Sequence, residues 1–356
     1  MKVFRFILSV ACLGFMLVSA CSEQEDKPAQ ASAPDLPAIT IMTHDSFSIS
    51  KEVAVALEEE CRVKLTILKS GDAGEALNKA VLTKNNPLAD IFYGVDNTFL
   101  SRALDEDIFL SHAPAHLADV EDSLKLDPQN RLIPVDYGDV CVNFDLQWFE
   151  QAGKPIPAML EDLTDPKYKG LLVVENPATS SPGLAFLLAT ISRFGPDGYI
   201  DYWKKLKAND LLITNGWKEA YWGKFTAASQ GNRPLVVSYA SSPAAEVFYA
   251  ETKPEKAPTG VMTENGSAFR QIEFAGILKG TSRPESAKKV MDFLLSPRFQ
   301  EDIPLQMFVF PANTKAGLPT VFREHAKITR EPARLDPGQI DENRDNWIRE
   351  WTENML

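Results

Sequence analysis

Histidine and cysteine are scarce in this chain, four of each among 356 residues, and that narrows the available chemistry. The histidines are His44, His112, His116 and His325; only His112 and His116 have helical spacing, and Pro114 lies between them. A histidine-based metal centre is not expected, and no metal ligand is assigned. Also missing are a G-x-S-x-G nucleophile elbow, a Walker loop and a G-x-G-x-x-G fingerprint, so no catalytic residue is assigned and no cofactor is called for. Positive charge is short as well: 37 Lys and Arg against 49 Asp and Glu leave a net charge of −12. Nucleic acid is gripped through a basic face and is not an expected partner, whereas a cationic solute suits this balance. Past the first twenty residues no apolar run is long enough to span a bilayer.

What is present begins with a leader. Lys2 and Arg5 precede an apolar run from Phe6 to Val18, and Val18-Ser19-Ala20-Cys21 closes it. These four residues resemble a bacterial lipobox, which implies a signal peptide over 1–20, cleavage before Cys21 and lipidation of that cysteine. Residues 22–37 are polar, rich in Pro and Ala and without period, as a flexible tether requires. The expected location is outside the cytoplasm, periplasmic or cell-surface, on a membrane-anchored lipoprotein. Cys12 leaves with the leader, so Cys61 and Cys141 remain, and their expected placement in different lobes argues against a bridge.

From residue 38 onward, short β-branched runs alternate with helical periods, the pattern of an open α/β sheet. Ile39–Thr43, Val63–Leu68 and Ala89–Tyr93 read as strands, with Ser50 capping one helix and Gly71-Asp72-Ala73-Gly74 opening the next. Two longer extended runs, 131–144 and 269–279, read as crossings between lobes, the first interrupted by a polar knot at Asp136-Tyr137-Gly138-Asp139. The predicted plan is two-lobed α/β, with lobe 1 made of 38–136 and 275–320, lobe 2 of 137–274, and a C-terminal helical segment over 321–356. Such hinged lobes hold a ligand cleft between them. In the last helix, Trp347 and Trp351 at i and i+4 read as a packed seam.

In open α/β sheets ligands lie beyond the carboxyl ends of the strands, and the loops holding Asp45 and Asp96 are two such ends. Ser180, Ser181 and Gly183 begin a helix after a strand, where hydroxyls and free N–H groups accept a hydroxyl or phosphate. Between 214 and 245, Trp217 on a Gly-marked turn and Tyr239 at a strand end place two rings where a planar or cationic ligand gains roughly 1–2 kcal/mol per ring.

The motifs THDSF (43–47), GVDN (94–97), PVDYG (134–138), NPATSSPGL (176–184), NGWKEAY (215–221), VVSYASSPA (236–244), IP…FPAN (303–313) and the late NWIREW follow one another in order. Together they resemble the thiamine-binding periplasmic proteins of bacterial ABC importers. The resemblance implies a type II periplasmic-binding-protein fold with two crossover strands and an interlobe cleft. It also implies a monomer that delivers thiamine or its phosphates to the transmembrane subunits of a permease. The family's acidic loop matches Asp96, its phosphate- or hydroxyl-facing serine Ser180, its stacking tryptophan Trp217 and its strand-end tyrosine Tyr239. Asp45 and Tyr137 match motif positions near the cleft. A second family tyrosine is Ala245 here, and a late family tryptophan is Phe308.

Two rival readings stand beside this one. Another small solute, a polyamine or phosphonate, would use the same fold. A thiaminase-like enzyme would need Cys141 as nucleophile, but CVNF alternates like a strand interior and no activating base accompanies it. The expectation is a binding protein, not an enzyme.

Overall fold

A computed structural model describes residues 36–356; the signal peptide, Cys21 and all but the last residues of the tether lie outside the described residues. The strands are β1 (Ala38–Thr43), β2 (Lys64–Lys69), β3 (Ile91–Asp96), β4 (Phe109–Leu110), β5 (Ile133–Asp145), β6 (Leu172–Glu175), β7 (Leu212–Thr214), β8 (Leu235–Tyr239), β9 (Thr259–Met262), β10 (Phe269–Leu278) and β11 (Phe310–Pro311). They form one mixed sheet in the order β2-β1-β3-β10-β5-β8-β6-β7, with β4 on β10 and with β9 and β11 on β5.

Two parallel blocks therefore sit at the ends. In one, β1 runs parallel to β2 (Ile39 opposite Leu65) and to β3 (Ile41 opposite Ile91). In the other, β6 runs parallel to β7 and β8. The long antiparallel pair β5 and β10 joins them, with Phe269 opposite Val140 and Ala275 opposite Ile133. These are the two extended runs read from the sequence as crossings.

Local signals explain the helices. Ser50 Oγ accepts the Val53 N–H at 3.3 Å, capping the helix Lys51–Cys61, whose Val53, Ala56 and Leu57 face the core; such a cap is worth about 1 kcal/mol. Asp72 opens the helix Ala73–Leu82. The last helix starts at Pro337, where Asp336 accepts two N–H groups of its first turn and proline is favoured. Its Trp351 packs edge-on against Trp203 at 5.4 Å, and Trp347 is buried too, so the seam is real.

One expectation needs correction. The polar knot does not interrupt β5, which runs unbroken through it. Its acids are buried because each has a partner: Tyr93 Oη donates to Asp136 at 2.5 Å, and the Arg270 guanidinium forks onto Asp139. Register shifts in β10 on either side of Phe274 leave Glu273 facing the same interior.

Candidate functional site

A cavity of about 250 Å³ opens where the carboxyl ends of β1 and β2 meet the turn after β7 and the end of β8. Its rings come from several elements. Trp217 follows β7, and its backbone N–H donates to Asp72 Oδ2 at 3.0 Å. Its indole N–H donates to Ser238 Oγ at 2.8 Å, and Tyr221 stacks behind it at 4.9 Å with 18° between planes. Tyr221 is held in turn by its hydroxyl on Glu246, whose pKa burial pushes up to about 8. Tyr239 stands 6.5 Å from Trp217 at 64°, its hydroxyl donating to Gln271 at 3.1 Å. It can lie this deep because Gly138 of β5 has no side chain: a Cβ there would come within 2.9 Å of the ring.

Phe308 closes a further side of the cavity. Its φ of 55° is the left-handed region, costly for a bulky residue, and the Ser241 hydroxyl donates to its carbonyl. Ala245, buried in the helix Ser242–Tyr249, contributes no ring. One turn later on that helix Tyr249 does: it lines the cavity 58% exposed, 5.4 Å from Phe308 and 6.3 Å from the half-exposed Trp222.

Charge enters at the floor. His44 Nε2 lies 3.4 Å from Glu273 Oε1, and both line the cavity. Burial works against the imidazolium, but the Glu273 carboxylate outweighs it and raises the His44 pKa above its ordinary value. Behind Glu273 lies Asp136, driven well above the carboxylate range by burial and by the Glu273 charge. Asp72 is a further acid of the wall; burial raises its pKa. Its Oδ1 accepts the Ala73 N–H at 2.8 Å and its Oδ2 that of Trp217.

The cavity brings together five residues singled out from the sequence: Asp45, Ser181, Trp217, Tyr239 and Phe308. Asp45 turns its carboxylate onto the Gly71 N–H at 3.2 Å. Three others are placed differently. Asp96, fully buried at the end of β3, accepts the N–H and hydroxyl of Thr98 at 2.6 and 2.5 Å and does not line the cavity; burial pushes its pKa to about 7. Tyr137 stacks on Phe310 at 5.7 Å and lines a separate, smaller cavity. Successive strand residues face opposite sides, so Gly138, not Tyr137, lies under Tyr239. Ser180 sits just before the helix Ser181–Phe194, and Ser181 is the one that lines the cavity. Both serines are at most 1% exposed and neither hydroxyl has a partner of good hydrogen-bond geometry, although Ser180 is near enough to Asp72 to help hold its charge.

Sequence reasoning missed Asp72, His44, Glu273, Tyr249 and Trp222. Asp72 was already accounted for as a helix opener, and His44 stood in a quoted motif without a partner to suggest its role. The spacing of Ala245 and Tyr249, one helical turn, was the available signal for a ring on this face of the helix. Cys141 is wholly buried in β5 and outside the cavity, and burial drives its thiol pKa far above the ordinary range, against a nucleophilic role.

Residues 86–333 match the family described as bacterial extracellular solute-binding protein. A thiamine-binding periplasmic protein of Salmonella typhimurium is 31% identical over 320 residues, covering 88% of this chain and 92% of the relative. One of Escherichia coli is 30% identical over 322 residues, covering 88% and 92%. A solved periplasmic thiamin binding protein superposes with a TM-score of 0.80 at 27% identity, covering 91% of this chain and 98% of the other.

Proposed function

The chain belongs to the bacterial extracellular solute-binding proteins, in the group of thiamine-binding periplasmic proteins, and from that premise we propose that it binds thiamine, or a thiamine phosphate, in the cavity bounded by Trp217 and Tyr239. The family consists of two-lobed α/β binding proteins that serve ABC importers rather than enzymes. The observation that carries the thiamine reading is the meeting of rings and carboxylates in one cavity: Trp217, Tyr239, Phe308 and Tyr249 with Asp72 and Glu273. Thiamine joins a flat pyrimidine to a permanently charged thiazolium, and rings that exclude water attract such a cation by about 1–2 kcal/mol each. Its hydroxyethyl tail, free or phosphorylated, suits the unpartnered hydroxyl of Ser181 on the cavity wall, with Ser180 behind it.

In this reading Asp45, Asp72 and Glu273 offset the ligand's charge, while Asp96 and Tyr137 support the site from behind. Lobe 1 comprises 38–136 and 275–320, lobe 2 comprises 137–274, and 321–356 completes the chain. Cys21 carries the lipid, and the monomer hands its ligand to the permease. Mass spectrometry of ligand released from protein purified without refolding tests this: thiamine or its phosphate is expected. An unrelated solute, with no calorimetric response to added thiamine, would sink the reading.

A further inference from the structure

The two long strands that join the parallel blocks each carry a carboxyl group at the same point of their pairing: Asp136 of β5 stands opposite Glu273 of β10. Directly opposed residues share a face of the sheet, with Cβ atoms about 4.5–5.5 Å apart. Asp136 is wholly buried, and Glu273, 8% exposed, forms part of the cavity floor. Tyr93 of β3 donates to Asp136 Oδ2, but Asp136 Oδ1 has no donor, although the Glu273 carboxyl lies within hydrogen-bonding reach. Glu273 also meets His44, which follows β1, at 3.4 Å. The wider surroundings are acidic. Asp96 at the end of β3 feels the Glu273 charge, Asp72 that of His44, and Tyr239 at the end of β8 feels all four carboxyl groups. Lys69, at the end of β2 and on the same cavity, works against a charge on His44. Two opposed carboxyl groups out of water do not both ionise without a counter-charge, and one shared proton supplies the hydrogen that Asp136 Oδ1 lacks.

We propose that Asp136 and Glu273 hold one proton between them beneath the cavity and that a permanently cationic ligand displaces it, which makes the pair a specificity determinant for charge. The inference rests on the thiamine reading and adds to it the basis of choice between a cation and its neutral isostere. The exchange balances: one positive charge enters, one proton passes to solvent, and the net charge of the cavity is unchanged. Both carboxylates are then ionised beside the guest. A neutral guest of the same outline leaves the proton in place and gains none of that attraction.

Titration calorimetry of the full chain at neutral pH, in buffers of different ionisation enthalpy, counts the protons released on binding. Thiamine should release about one proton per site, its affinity rising by up to about tenfold per pH unit while the empty pair keeps its proton. Deazathiamine, the isostere with carbon in place of the charged ring nitrogen, should release none and bind at least about tenfold more weakly. Asp136→Asn should abolish the release, whereas His44→Gln and Asp96→Asn should keep it. No release with thiamine, equal release with both ligands, release that survives Asp136→Asn, or release that either of the other two variants abolishes would overturn the pair as its source. Should Asp136→Asn not fold, Glu273→Gln takes its place under the same criteria. If the wild type does not bind thiamine, the thiamine reading fails by itself, and infrared spectroscopy of the empty protein then decides the shared proton. The carbonyl band of an un-ionised carboxylic acid that Asp136→Asn lacks upholds it; no difference between the two spectra overturns it.

Discussion

The Asp72 carboxylate accepts the backbone N–H of Trp217 at 3.0 Å, tying the start of the helix Ala73–Leu82 to the turn that carries the principal ring. The contact has company: the Gly74 N–H donates to the Thr179 carbonyl at 3.1 Å, and a Cβ on Gly216 would stand 2.8 Å from Asp72 Oδ2. The two parallel blocks of the sheet thus meet through polar contacts beside the cavity. Asp72→Asn removes the charge and keeps an acceptor for only one of the two N–H groups that Asp72 holds, those of Ala73 and Trp217. It should weaken thiamine binding about tenfold, or 1.4 kcal/mol, and lower the melting temperature as well. Calorimetric affinity equal to wild type would rule out Asp72 as the counter-charge.

Trp217→Ala removes the ring that Tyr221 backs, and it should cost at least about tenfold in affinity. Tyr249→Ala is the informative companion. Because Tyr249 is 58% exposed, its loss should leave the melting temperature within about 2 °C of wild type. It should still lower affinity by roughly threefold if the ring covers the ligand. Unchanged affinity would mean that the ring at 249 does not replace the one absent at 245.

Ser181→Ala separates binding from folding. The native hydroxyl is buried without a partner, so its removal should leave the ligand-free protein as stable as wild type or slightly more so. The same change should weaken binding of thiamine monophosphate several-fold, read by calorimetry alongside thermal melts. A clear loss of stability would show that the hydroxyl is engaged in the empty protein.

Asp96 makes a prediction in pH. Its pKa is raised to about 7 from an unfolded value near 3.8, so between those values the folded state holds more protons than the unfolded one. Stability from this group is therefore greatest at acid pH and declines as pH rises toward 7. Asp96→Asn stays neutral and can keep accepting from Thr98, so the gap in melting temperature between pH 5 and pH 8 should shrink in the variant. Identical pH profiles for the two proteins would exclude a raised Asp96.

Much of this was legible in the sequence because local chemistry decided it. The alternation of strand and helix, the Ser50 cap and the two crossings follow from periodicity and capping. Trp217, Tyr239 and Phe308 stood in motifs whose order carries the resemblance. What stayed hidden depends on which way a buried strand faces. β3 is buried along its whole length, so nothing in GVDN says that Asp96 turns inward to Thr98. On β5 a displacement of one residue separates Tyr137, outside the cavity, from Gly138, beneath Tyr239. Asp72 looked complete as a cap, and only the fold reveals that its second oxygen has a partner 145 positions away.

Gly138 sets a dimension of the cavity by what it omits. With a methyl group at that position, 2.9 Å from Tyr239 Cδ1 and 3.3 Å from Val309 Cγ1, the tyrosine ring would have to shift outward by tenths of an ångström. The slot facing Trp217 would narrow by the same amount. Thickness of the guest, more than its charge, would then decide entry, and a bulky heterocycle would be turned away before a slender one.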